Sequence, residues 1–188
     1  MKFYNRFSLT LSAMIAAFVL ISATTQQDKS MKTLHDFKVE DIYGDEFDLA
    51  SLSGKKVMVV NTASKCGLTP QYEDLERLYQ DYSEKGFVII GFPANNFMNQ
   101  EPGTNDDIIT FCQENYGVSF PMMSKISVKG DDMHPLYQWL TQKNQNGKLD
   151  AEVTWNFQKF LVDEQGHLVE VLSPREKPYS DKVVEWLN

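Results

Sequence analysis

Two uninterrupted apolar runs, Val57-Met58-Val59-Val60 and Phe87-Val88-Ile89-Ile90, constrain this chain more than any other feature. Runs of four or more β-branched and apolar residues without alternation mark strands buried on both faces. Between them lies "PQYEDLERLYQDYS", Pro70 to Ser83, where Tyr72, Leu75, Leu78, Tyr79 and Tyr82 recur at helical spacing. Pro70 suits a first helical turn, and Gly86 marks the stop. Strand, helix, strand at this spacing predicts a βαβ unit and a parallel pair.

The flanking segments complete the pattern. "VEDIYGDEFDL" reads as a short hairpin, Val39–Ile42 and Glu46–Leu49, with its turn at Gly44. Thr104 to Asn115 predicts a helix, with Thr104 as N-cap, Asp106 and Asp107 in the first turn, and Gly117 as the stop. Pro135 to Lys143 reads as another helix. "WNFQKFLVDEQGHLVEVLS" reads as two alternating strands around Glu164-Gln165-Gly166, and Tyr179 to Leu187 as a closing amphipathic helix. A βαβ unit followed by a β-hairpin and a terminal helix predicts an α/β class, the thioredoxin fold. Its central mixed β-sheet is flanked by helices on both faces.

The chain has 188 residues, enough for one domain with a core, which we place at 32–188. Its net charge of -8 and the lack of any basic block exclude nucleic acid as a partner. Residues 1–25 differ from the rest. Lys2 and Arg6 precede the uncharged "LTLSAMIAAFVLISA", followed by the small residues Ser22 to Thr25. That order is a signal-peptide pattern. As a helix the apolar stretch reaches roughly 22 Å, short of a ~30 Å hydrocarbon core, so cleavage is favoured over an N-terminal anchor. The expected location is therefore exported, periplasmic or secreted. A start at Met31 would instead leave a cytoplasmic protein.

There are only two cysteines and no CxxC pair, which disfavours a thioredoxin-type dithiol. His35, His134 and His167 stand alone without ligand spacing, so no metal or other cofactor is expected. Cys66, in "NTASKCGLTPQ", falls between the first buried strand and its helix. Chemistry gathers at that corner in open α/β sheets. Four roles are open to the thiol: half of a structural disulfide, a metal ligand, an inert small residue, or a nucleophile. The helix N-terminus ahead of it would stabilise a thiolate, Lys65 would add a cation, and Gly67 would allow close backbone approach.

Three stretches in order, "VNTASKCGLTPQY", "GFPANNFMNQEPG" and "WNFQKFLVDEQG", resemble the glutathione peroxidase family. The resemblance runs from about Phe37 to Leu187. It implies a thiol peroxidase that reduces hydrogen peroxide and organic or lipid hydroperoxides. It places Cys66 at the peroxidatic position, with Gln100, Trp155 and Asn156 as the other members of a catalytic tetrad. Cys112 matches the resolving cysteine of the thioredoxin-dependent branch. It would form a disulfide with oxidised Cys66, and its helix would have to unwind to do so. A dithiol of thioredoxin type, or glutathione, would then restore both thiols. The chain lacks the insertion that tetrameric members carry between Leu140 and Trp155, so a monomer with an open site is expected. Three rivals remain: a thioredoxin-like disulfide oxidoreductase, a non-enzymatic exported binding domain, and a structural secreted domain with a permanent Cys66–Cys112 bridge.

Overall fold

Burial along the first apolar run divides the molecule into two cores. In a computed structural model, which describes residues 31–188 together with Met1, the main sheet has four strands. They are β3 (Lys56–Thr62), β4 (Phe87–Pro93), β5 (Lys159–Val162) and β6 (Leu168–Leu172), in the order β4-β3-β5-β6. Strand neighbours point to opposite faces. Val57 and Val59 therefore enter one core with Phe92, Leu136, Trp139 and Phe160. Met58 and Val60 enter the other with Tyr72, Leu75, Ile108, Cys112 and Leu172. The expected signal segment, residues 1–25, lies outside the described residues.

β3 and β4 run parallel from Lys56↔Phe87 to Thr62↔Pro93, while β3–β5 and β5–β6 are antiparallel. The sheet is thus mixed, with helices on both faces. Helix α1 (Gln71–Tyr82) and helix α2 (Asn105–Tyr116) cover the Met58 face, joined by the terminal helix α5 (Asp181–Leu187) through Val183. Helix α3 (Pro135–Thr141) covers the other face through Leu136, Tyr137, Trp139 and Leu140, and the short α4 (Lys143–Asn146) follows it. The small hairpin pairs β1 (Lys38–Glu40) with β2 (Glu46–Asp48).

Several boundaries differ from the sequence reading. The expected helix over 135–143 breaks after Thr141, where Gln142 adopts extended geometry and restarts the chain as α4. Pro70 caps α1 rather than opening it, and the last helix begins at Asp181, after the Ser180 cap. The segment Trp155–Gln158 is a turn, not strand, and β5 is buried along its whole length instead of alternating. The reason is position: β5 lies between β3 and β6, with a core on each side. Thr104 caps α2 as expected, its hydroxyl accepting from Asp107 N–H at 3.2 Å while the Asp107 carboxylate reaches back to Thr104 N–H at 2.9 Å.

Candidate active site

The corner after β3 is built by Thr69. Its hydroxyl donates to the Ala63 carbonyl at 2.8 Å and accepts from Cys66 N–H at 3.0 Å. Thr69 N–H in turn donates to the Cys66 carbonyl at 3.0 Å. The thiol is thereby set on a short turn ahead of α1. Leu68 N–H points at the sulfur, 3.4 Å from Sγ. That donor is the local equivalent of an anion-binding helix start.

Cys66 is 8% exposed and lines a cavity of about 670 Å³ with Leu68, Thr154, Trp155, Pro174 and Arg175. Two expectations about the neighbours fail. Lys65 is exposed and lines a second cavity of about 400 Å³ with Ser64, Glu101 and Phe111, not the one that holds the thiol. A Cβ added at Gly67 would meet open space, so close backbone approach does not require glycine there.

The other three expected residues come to the same corner from two further loops. Lys65 N–H donates to the Gln100 carbonyl at 3.0 Å, tying the 97–101 loop to the Cys66 turn. Asn156 Nδ2 donates to Gln100 Oε1 at 2.8 Å, which leaves the Gln100 amide NH₂ free to donate elsewhere. Asn156 Oδ1 is buried without a partner among the described residues. Trp155 packs its ring on Phe97, centroids 5.5 Å apart, and lines the cavity.

The backbone here is strained. Met98, Asn99 and Phe157 all have positive φ, 51°, 52° and 65°. A fully buried phenylalanine in that region costs of order 1–3 kcal/mol and persists only where its surroundings impose it. Asn61, on β3, imposes it. Its Nδ2 donates to the Trp155 carbonyl at 3.1 Å and its Oδ1 accepts from Gln158 N–H at 3.1 Å. Its own carbonyl accepts from Phe157 N–H at 2.6 Å, and its N–H donates to the Gln158 carbonyl at 3.4 Å. Tyr72 adds an edge-to-face contact to Phe157 at 5.3 Å. The sequence reading missed Asn61. A polar residue inside an otherwise apolar strand was the available signal.

Cys112 lies in α2 and is fully buried in the core shared with Cys66, and both thiols are free. Burial pushes the Cys112 thiol up to about 11; the adjacent Tyr72 hydroxyl works against that shift, and the Glu101 carboxylate adds to it. Glu101 is itself buried, accepts from Ser64 Oγ at 3.1 Å, and has its carboxyl pushed up by burial. Among the described residues no group of three or more His, Cys, Asp or Glu is placed to hold a metal ion.

A thioredoxin-type sheet with a thiol on the turn after a central strand, opening onto a cavity walled by Leu68 and Trp155, is the arrangement of a thiol-based redox enzyme. Three comparisons narrow the class. A crystal structure entitled "Trgpx in apo form" matches with TM-score 0.65 and 39% identity, over 83% of this chain and 95% of that one. A thiol:disulfide interchange protein of the thioredoxin family from Chlorobium tepidum matches at TM-score 0.61 and 21% identity, over 86% and 99%, which shows the shared fold. The family model "Glutathione peroxidase" matches residues 34–141. The glutathione peroxidase-like peroxiredoxin gpx1 of Schizosaccharomyces pombe is 52% identical over 149 residues, covering 79% of this chain and 93% of that protein. The chain belongs to the glutathione peroxidase family and is a thiol peroxidase.

Proposed function

We propose that Cys66 is the peroxidatic thiol and that hydrogen peroxide and organic or lipid hydroperoxides are its substrates. The observation that carries this reading is its cavity. Cys66 is the one thiol of the two that opens onto a solvent-accessible pocket, with Trp155 in the wall and the Gln100–Asn156 pair behind its turn. In the first step the Cys66 thiolate attacks the outer peroxide oxygen. The O–O bond breaks, the sulfur is oxidised to sulfenic acid, and the departing alkoxide or hydroxide takes a proton and leaves as alcohol or water. The Leu68 N–H, the free Gln100 amide and the Trp155 indole N–H are the donors that stabilise the thiolate and orient the peroxide.

In the second step Cys112 attacks the sulfenic sulfur, expelling water and forming a Cys66–Cys112 disulfide. A dithiol of thioredoxin type, or glutathione, then reduces it by exchange. The raised Cys112 thiol is a poor nucleophile while buried, so this step requires α2 to open locally. The helix suits that role. Of its twelve residues only Ile108 and Cys112 are buried, against four on α1; unwinding its second half releases Cys112 and the partly buried Phe111 and Tyr116.

The enzyme works as a monomer, is built from a single domain over 32–188, and is exported, with residues 1–25 as the leader. Sequencing the N-terminus of the mature protein tests the export. The catalytic assignment is tested by stopped-flow oxidation. Cys66→Ser lowers peroxide consumption by roughly 10³-fold or more. Cys112→Ser keeps a single fast oxidation of Cys66 but loses turnover with thioredoxin. Full turnover of the second variant with glutathione as the reductant would assign re-reduction to direct attack by glutathione.

A further inference from the structure

Lys159 is fully buried, yet it is a lysine on a central strand. On β5 it stands opposite Val60 and Leu172, so its side chain enters the core on the α1 side of the sheet. Burying an amine there is expensive, and a methionine of similar length would fill the space more cheaply. Stability does not explain the residue. What it holds does. Nζ donates to the Pro174 carbonyl at 3.1 Å and to the Glu176 carbonyl at 2.6 Å. Gln71, at the start of α1, donates to the same Pro174 carbonyl at 2.8 Å.

These carbonyls belong to the segment between β6 and α5, which has no strand or helix of its own. Inward-facing carbonyls need donors, and here the donors come from side chains of the sheet and of α1. On its outer side the same segment places Pro174 and Arg175 in the wall of the Cys66 cavity, across from Leu68 and Trp155. The Lys182–Glu176 pair at 3.6 Å also touches the segment, but an exposed pair of this kind contributes little.

We propose that Lys159 is a positioning residue: with Gln71 it fixes the 173–176 segment as the outer wall of the Cys66 pocket, and so determines how well bulky hydroperoxides seat relative to hydrogen peroxide. Hydrogen peroxide is too small to need that wall. A substrate with an aromatic or acyl group packs against it. The inference rests on the peroxidase reading of Cys66. Burial brings the amine down to about 7, so its donation to the two carbonyls is strongest when it holds its proton and weakens as the proton leaves.

The test is the ratio of second-order rate constants for Cys66 oxidation by cumene hydroperoxide and by hydrogen peroxide. In Lys159→Met this ratio falls about tenfold relative to wild type. Gln71→Leu, at a half-buried position, lowers it in the same direction, and carries the test if Lys159→Met does not fold. A ratio within about twofold of wild type in both variants would overturn the proposal. So would a proportional loss with both peroxides, which would place Lys159 in the support of the thiol rather than of the wall. A wild-type protein that oxidises with neither peroxide would instead sink the peroxidase reading, a separate outcome.

Discussion

The two cysteines share one core but sit in regions of opposite construction. Cys66 is on a turn held by Thr69, backed by β3, and followed by α1, which buries Tyr72, Leu75, Glu76 and Leu78. Its surroundings are fixed by three loops hydrogen-bonded to one another. Cys112 is on α2, which buries only Ile108 and Cys112 and packs Ile109, Phe111 and Tyr116 partly buried, and whose end is held by Gly117 in left-handed geometry. In the proposed cycle the difference divides the labour. A peroxide must meet a preorganised thiol, whereas a resolving thiol must travel to its partner. In that cycle the first region stays fixed, and the second, with fewer buried residues, opens.

The sharpest way to break this comparison is to loosen the rigid side. Asn61→Ala removes both side-chain bonds to the Trp155–Gln158 turn and leaves the Trp155 carbonyl and Gln158 N–H unsatisfied. The expected stability loss is about 2–4 kcal/mol by chemical denaturation. The rate of Cys66 oxidation falls about tenfold, and the loss is non-additive with Trp155→Phe in a double-mutant cycle. Additive losses would mean that Asn61 serves only the fold.

Next in size is the pH response of the buried thiol. Cys112 sits at about 11 in the folded protein against 9.0 for a free thiol, so between these pH values the unfolded chain releases a proton that the folded chain keeps. Folding stability therefore falls as pH rises through that window. Relative to Cys112→Ala, the wild type loses about 2 kcal/mol between about pH 8 and about pH 11, read from denaturation midpoints. Parallel curves for the two proteins would show that the thiol is not held in an apolar site.

The smallest expected effect acts on the Cys112 side. Gly117 has φ +62° with open space around it, so Gly117→Ala strains only the backbone, by about 1 kcal/mol. That raises the opened fraction of α2 about fivefold. Formation of the Cys66–Cys112 disulfide after a peroxide pulse speeds up by a similar factor. A slower rate would mean that the capped helix itself presents Cys112 to the sulfenic acid.

Much of this was legible in the chain because the signals are local. The runs at Val57–Thr62 and Phe87–Pro93 could only be buried strands, and the helical spacing between them forced a parallel pair. Thr104, followed by Asp107 three residues on, announced the start of α2. Cys66, Gln100, Trp155 and Asn156 stood out as candidates through the three stretches that carry the family resemblance. Other features were invisible for a physical reason. Lys65 looks like a partner of Cys66 in sequence, but adjacent side chains on a turn point apart, and it faces the second cavity instead. Trp155–Gln158 looks like strand because its residues favour one, yet Asn61, almost a hundred positions earlier, turns it.

By itself, then, the sequence determined the α/β class, the order of strands and helices, and the two thiols available for chemistry. These follow from periodicity, capping and turn residues acting within a few positions of one another. Only the tertiary structure decided which thiol opens onto a cavity, which carbonyls Lys159 and Gln71 would hold, and how Gln100 and Asn156 meet at 2.8 Å. Those outcomes depend on groups far apart in the chain, whose burial and partners exist only once the sheet has brought its ends together.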